Sequence, residues 1–321
     1  MSEANDLLDI NNLAVTLNAP QGIVQAVRNV NLTVKPGEIH GLVGESGSGK
    51  SMTAKSIMRL NDEGATLYEG SIRFEGNELL TLKPKEMLEY RRKKIAMIFQ
   101  DPVLSLDPLQ RIGDQIIEKL RLAGTSRQDA KKRAAELLES VGIRPADERM
   151  RQYPFQMSGG MLQRVNIAMA LAGDPKLLVA DEPTTALDVT VQMQILRLLK
   201  DLQQRLGVSV LIITHNFGVV AEICDTVSVM YRGVIVEQGD VDSIFRSPQH
   251  PYTKGLMAAI PRSGPDEGLP EPMTEDFADP LDPQLSQPVE GSAHLRTPIM
   301  HQFSPTHSYA DAYVQAGKEQ A

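Results

Sequence analysis

Cysteine is almost missing from this chain. The single one among 321 residues, Cys224, excludes an intramolecular disulfide and a cysteine-built metal cluster. It ends the apolar helical stretch Val219 to Cys224, where a buried structural thiol is expected rather than a nucleophile. Long apolar runs are missing too. No stretch approaches the ~18 consecutive apolar residues of a bilayer-crossing helix. Residues Met1 to Asp9 are polar and acidic, with no charged-then-apolar export signal. These absences predict a cytosolic protein, or one held on the cytosolic face of a membrane by a partner. Positive charge is also in deficit. The 33 Lys and Arg face 41 Asp and Glu, for a net charge of -8, which argues against broad electrostatic binding to nucleic acid. There is no internal duplication.

The composition that remains, 41% hydrophobic and 23% charged, is that of a globular protein able to bury an ordinary core in one large domain or two smaller ones. From about Leu7 to Val34 short apolar and polar runs alternate, predicting β-strands joined by a turn near Pro20-Gln21-Gly22. Ser71 to Phe74 and Ile95 to Phe99 read as further strands. Between about Asp101 and Gly173 the pattern turns helical, over Ile112 to Leu122, Arg127 to Val141 and Gly159 to Ala172. Leu177 to Asp181 and Val208 to Thr214 return to the buried-strand pattern around a helix over Val189 to Leu206. Val227 to Tyr231 and Val234 to Glu237 predict a hairpin across Arg232-Gly233. Strands alternating with helices imply a largely parallel sheet. The end differs again. Nine of the twenty prolines lie between Pro261 and Pro305, and Ser263 to Ala293 carries eight acidic residues and no Lys or Arg. That stretch is expected to be extended or mobile and to contribute little packed core.

Gly44-Glu45-Ser46-Gly47-Ser48-Gly49-Lys50-Ser51 fits G-x-x-x-x-G-K-[ST], the loop that cradles phosphates. The apolar stretch Ile39 to Val43 precedes it as a strand, and a helix is expected from Lys50 toward Leu60. Glycines let the backbone wrap close to an anion, with several N–H groups aimed inward. The helix N-terminus adds partial positive charge. Lys50 is then placed to reach the β- and γ-phosphates and Ser51 to ligate Mg²⁺.

Further positions carry chemistry. Asp181 ends a buried strand, where a carboxylate can hold Mg²⁺ through its water shell, and Glu182 beside it can accept a proton from an attacking water. Read alone, the two acids also suit the mere start of a turn before Pro183. His215 follows an apolar strand and is expected in the ligand crevice at the strand's C-terminal edge, able to donate to the γ-phosphate. Gln100 ends another strand and can touch Mg²⁺ or its water. Either residue on its own also fits an ordinary surface or turn position. Met157-Ser158-Gly159-Gly160-Met161 opens a helix that Ser158 can cap, and its glycines expose N–H groups for a second phosphate site. Two such sites fit one nucleotide if two chains meet head to tail, the Lys50 loop of one facing Ser158-Gly159-Gly160 of the other.

In this order the motifs resemble an ABC-transporter ATPase subunit over about Leu7 to Pro261. The resemblance implies an α/β P-loop ATPase core at residues 1–260 with an antiparallel β subdomain, a helical subdomain at about 101–173, and an extended tail over 261–321. It implies that Gly44, Glu45, Ser46, Gly47, Ser48, Gly49, Lys50, Ser51 and Met52 bind ATP, that Ser51, Gln100 and Asp181 serve Mg²⁺, and that Glu182 is the general base. It makes His215 the γ-phosphate switch, Gln100 a sensor contacting the membrane partner, Ser158 to Gly160 the signature that closes over the opposite ATP, and Asp188 (in Ala186-Leu187-Asp188) a cross-subunit link.

A narrower resemblance, to importers of oligopeptides and dipeptides, rests on Phe99-Gln100-Asp101-Pro102, Ser105-Leu106-Asp107-Pro108 and His250-Pro251-Tyr252-Thr253-Lys254-Gly255-Leu256. It implies permease subunits, a second homologous ATPase subunit (a different chain or a second copy of this one), an extracytoplasmic solute-binding protein, no nucleic-acid partner, and a peripheral place on the cytoplasmic face of the inner membrane. ABC ATPases for nickel or antimicrobial peptides, and soluble ABC proteins, are the alternatives. Three departures stand out. Leu17 and Ile23 offer no aromatic platform for adenine, Asn216 replaces the Asp that usually follows the switch histidine, and the tail lacks the cysteines of an iron–sulfur cluster, so no cluster is expected. His294, His301 and His307 are expected as solvated tail residues rather than metal ligands.

Overall fold

The computed structural model describes residues 6–20, 22–185, 187–259, 277–289 and 295–312. In chain order these form β1 (Leu8–Ala19), β2 (Gly22–Val34), β3 (Ile39–Val43), α1 (Lys50–Ile57), β4 (Thr66–Phe74), β5 (Asn77–Glu78), α2 (Pro84–Lys93) and β6 (Ile95–Ile98). There follow α3 (Ile112–Ala123), α4 (Arg127–Ser140), α5 (Ala146–Arg149), α6 (Gly159–Leu171), β7 (Leu177–Asp181), α7 (Val189–Leu206) and β8 (Ser209–Thr214). The remainder holds α8 (Phe217–Ile223), β9 (Thr226–Tyr231), β10 (Val234–Asp240), α9 (Val241–Arg246), α10 (Pro251–Ala258), β11 (Ser286–Pro288), β12 (Arg296–Pro298), β13 (Met300–Ser304) and β14 (His307–Ala310). The chain divides into two compact units, one drawn from residues 1–33, 40–80 and 214–321, the other from 34–39 and 81–213.

In the first unit β2, β1, β4 and β5 lie side by side, with Leu8 opposite Phe74 across the antiparallel β1–β4 pair. The alternation read in the sequence buries Leu8, Ile10, Leu13 and Val15. β4 begins at Thr66, earlier than expected, and Gln21 of the predicted turn lies outside the described residues. A second row of strands runs β13-β14-β10-β9-β3. Every residue of β3 is buried, as expected of a parallel strand covered on both faces, and its His40 pairs with Thr226 of β9. The β9–β10 hairpin turns at Arg232-Gly233, where φ is 47° and 83°. Two consecutive positive φ values match the twist of a tight hairpin. Val43, Phe217, Val229, Tyr231, Tyr252 and Phe277 share one core cluster. Cys224 caps α8 half-buried, its sulfur 3.1 Å from the point a Gly41 Cβ would take.

The tail departs from its expected exclusion from the core. Its described pieces are extended, yet they pack. Phe277 is fully buried, β11 pairs with β12, and β14 joins β10 with Tyr309 opposite Glu237. His307 is buried rather than solvated, whereas His301 is half-exposed beside Asp311. His294 lies outside the described residues.

In the second unit β6, β7 and β8 are parallel neighbours, in the register Ile95 to Leu177 to Ser209. α3, α4 and α6 pack on one another within the stretch read as helical. α4, α6 and α7 start at Ser126, Ser158 and Asp188, each of whose side chains accepts a first-turn backbone N–H. α7 buries Ile195, Leu199 and Leu202 on one stripe and stops at Gly207 (φ 67°). α2, opened by Pro84, carried no reading in the sequence.

Candidate nucleotide-binding and catalytic site

The residues singled out in the sequence fall on both units. In the first, buried β3 delivers the chain to the loop at 44–51. A side chain at Gly44 would collide with the Met230 carbonyl oxygen, so the backbone reaches this position only as glycine. Gly47 (φ 82°) faces open space. Gly49 (φ 106°) starts α1 with no side-chain cap, and the first turn holds no acid. α4, α6 and α7, by contrast, each have a side chain that accepts from a first-turn N–H. Lys50 is buried, with its ammonium donating to the carbonyls of Gly44 (2.8 Å) and Glu45 (2.7 Å) and to Ser48 Oγ (3.4 Å). Glu45, Ser46 and Gly47 are exposed, and Ser51 and Met52 are half-buried on α1. A glycine cradle, an uncapped helix start and a buried cation suit the phosphates of ATP. His215 is exposed one residue beyond β8. Asn216 caps α8 by accepting from Gly218 N–H at 2.8 Å, so it performs the capping that an aspartate would.

In the second unit β7 carries Asp181 to its tip, buried. The next residue, Glu182, turns to φ 48° while its N–H donates to the Ile213 carbonyl at 2.9 Å. A positive φ is uncommon for glutamate and concentrates where a side chain must be aimed. Here the Oε2 oxygen accepts from Gln100 Nε2 and from Thr185 Oγ1, both at 2.9 Å. The structure thus brings Gln100 and Glu182 together, with the amide nitrogen turned to the carboxylate, which leaves the amide oxygen as the atom for a cation. The turn starting at Pro183 is itself held by Gln163 Nε2 from α6, at 2.7 Å from the Pro183 carbonyl. Asp188 Oδ1 accepts from Val191 N–H at 3.0 Å and so caps its own helix. Ala186 lies outside the described residues.

Ser158 and Gly159 are exposed at the start of α6, and Ser158 Oγ accepts from Met161 N–H at 3.4 Å. Gly160 sits so near α7 that a Cβ would lie 2.6 Å from Val191 Cγ1. Thr185 and Gln163 went unread in the sequence, although Thr185 stands three residues after Glu182, the spacing at which a hydroxyl in a turn reaches back. A third unread contact joins Tyr252 to the Glu45 backbone.

This fold and these two groups of residues define a P-loop ATPase cassette, and comparison with known proteins agrees. The family pattern described as ABC transporter matches residues 27–185, and that described as oligopeptide/dipeptide transporter, C-terminal region, matches 236–280. The oligopeptide transport ATP-binding protein OppD of Bacillus subtilis is 50% identical over 91% of this chain and 81% of its own length. The dipeptide transport ATP-binding protein DppD of Lactococcus lactis is 45% identical over 94% of this chain and 89% of its own. The solved dimeric ABC transporter cassette MJ0796 is 30% identical with a TM-score of 0.65, covering 73% of this chain and 98% of that one, and one of its structures is a post-hydrolysis state bound to ADP and phosphate. This chain belongs to the ABC transporter family, as an ATP-binding, ATP-hydrolysing subunit. Among the described residues no helix is long and apolar enough to cross a membrane.

Proposed function

We propose that this chain energises a peptide importer and that each ATP lies between two chains. The observation that carries the reading is the pair of contrasting helix starts. α1 begins uncapped at the phosphate loop, and α6 begins with Ser158 and Gly159 exposed to solvent. Because the Ser158 oxygen already accepts from Met161 N–H, its own hydrogen remains to donate to a phosphate oxygen. In this reading the 44–51 loop of one chain, with Lys50, Ser51 and Met52, holds the nucleotide, and Ser158 to Gly160 and Asp188 of the second chain close over it. Ser51, Gln100 and Asp181 hold Mg²⁺, which supplies charge neutralisation at the phosphates. A hydroxyl, an amide oxygen and a carboxylate are the hard oxygen donors this cation takes. Glu182 accepts the proton of the attacking water, with Gln100 and Thr185 fixing which carboxylate lone pairs remain to do so. His215 donates to the γ-phosphate.

Binding of ATP draws the chains together, and loss of the γ-phosphate lets them part. Permease subunits convert that motion into alternating access at the cytoplasmic face of the inner membrane, supplied by an extracytoplasmic binding protein. Phe99, Val103, Leu104 and Leu109, all exposed around Gln100, suit a permease contact. The second ATPase chain is a homologous partner, with a second copy of this chain as the alternative. The peptide cargo is supported by the names of the relatives and by the match at 236–280. The test is ATP hydrolysis by the assembled transporter with its binding protein. Acceleration by peptide-loaded binding protein is expected, whereas acceleration by nickel-loaded protein and none by peptide would reassign the cargo.

A further inference from the structure

Tyr252 is the largest fully buried side chain of the described residues, and it stands 207 positions from the loop it touches. Its hydroxyl oxygen accepts the Glu45 backbone N–H at 3.0 Å. The ring is seated against Tyr231 at 4.5 Å and edge-on to the tail residue Phe277 at 6.4 Å. The turn leading to it is anchored as well. Gln249 and His250 donate their N–H groups to the buried Glu237 carboxylate at 2.6 and 3.2 Å, and His250 Nδ1 accepts from Tyr252 N–H at 3.1 Å. His307, from β14, sits on the same carboxylate at 2.7 Å. Elsewhere on the phosphate loop, Gly233 N–H donates to the Ser48 carbonyl at 2.8 Å.

The Glu45 N–H and the Gly44 carbonyl belong to a single rigid peptide unit and point in opposite directions. Tyr252 holds one end of that unit, and the other end accepts from Lys50 Nζ at 2.8 Å. We propose that Tyr252 is a positioning residue of the nucleotide site, fixing from outside the phosphate nest the peptide plane on which the Lys50 ammonium is tethered. The inference rests on the reading that the 44–51 loop binds nucleotide phosphate. It also gives the tail a part in the ATP site, because Phe277 and His307 build the seat of Tyr252. Burial pushes the Tyr252 phenol above its ordinary pKa, so the hydroxyl stays neutral and the contact is constant across physiological pH.

The test compares Tyr252→Phe, Tyr231→Phe and Lys50→Ala in the full chain, reading MgADP affinity with a fluorescent nucleotide. Losing one hydrogen bond to the phosphate loop is expected to weaken Tyr252→Phe by roughly 5- to 20-fold. In the assembled transporter KM for ATP rises by the same factor while kcat stays within about twofold. Tyr231→Phe, which removes a hydroxyl aimed at the Phe277 carbonyl, keeps wild-type affinity, and Lys50→Ala loses binding. Unchanged affinity in Tyr252→Phe beside a Lys50→Ala that fails to bind overturns this inference alone, as does an equal loss in Tyr231→Phe. A Lys50→Ala that binds normally removes the underlying reading instead. If Tyr252→Phe does not fold, hydrogen exchange at the Glu45 amide of the unaltered chain decides. Protection of at least ~100-fold supports the contact, and exchange near the free-peptide rate refutes it.

Discussion

Gly160→Ala is a substitution whose sign separates packing from helix propensity. Gly160 is the second residue of α6, and alanine there is favoured intrinsically by up to about 1 kcal/mol. Against this, the new methyl would lie 2.6 Å from Val191 Cγ1 and 3.8 Å from Val191 Cβ and Cγ2. Carbon atoms prefer ~3.5–4.0 Å, so the overlap is about 1 Å. Val191 is β-branched and sits in the first turn of α7, where one χ1 rotamer dominates, so it cannot swing aside cheaply. Overpacking of this kind costs ~1–3 kcal/mol. The expected net is a destabilisation of about 1 kcal/mol, or roughly 2–4 °C in Tm. In a Val191→Ala background the obstructing methyl is gone, and the same substitution should stabilise by up to about 1 kcal/mol. Calorimetric or denaturant unfolding of the four proteins forms a complete cycle. A Gly160→Ala that stabilises the wild-type background, or whose effect Val191→Ala leaves unchanged, refutes the packing argument.

Other perturbations have equally definite outcomes. Glu182→Gln keeps an oxygen that can accept from Gln100 and Thr185 but cannot take a proton, so ATP binding should persist while turnover falls by ~10²–10⁴. Normal turnover would remove Glu182 from its role. Burial, and secondarily the charge of Lys254, hold His250 down at about 4. The folded state therefore resists a proton that the unfolded chain takes up below its ordinary value of about 6.5, and stability is complete above that pH and drains away as pH falls toward about 4, by an amount of order 3 kcal/mol. His250→Asn retains an N-cap acceptor and does not titrate, so its unfolding free energy should fall less steeply across that window. Identical slopes would exclude His250 as the source. His307→Ala should destabilise the first unit by a few kcal/mol, since it leaves the buried Glu237 carboxylate short of a donor, and urea unfolding reads that loss directly.

Much of this arrangement was legible in the residues because the signals are local. The phosphate loop announces itself by glycine spacing, β3, β7 and β8 by unbroken apolar runs, and α6 by its cap Ser158. The hairpin at Arg232-Gly233 needed only its turn residues. What escaped depends on distant partners. Nothing near Tyr252 says that its hydroxyl meets Glu45, and nothing near His307 says that it is buried on Glu237. Proline and acidic residues in the tail argued for a segment without a core. Yet β14 needs only the edge of β10, and Phe277 only the aromatic pocket of Tyr231 and Tyr252. α2 stayed unread because it buries only Met87, too little to impose a helical period. In the turn after β7 the acids were read from their position at a strand tip, while Thr185, which donates to Glu182, gave only a turn-like spacing.

The association state of Glu182→Gln bears most directly on a nucleotide held between two chains. Sedimentation of this variant, alone and with its cognate ATPase partner, is expected to show one-chain mass without nucleotide and two-chain mass with saturating MgATP, the gain disappearing when Ser158→Arg or Lys50→Ala is added. A preparation that binds ATP and still sediments as single chains would contradict the shared site.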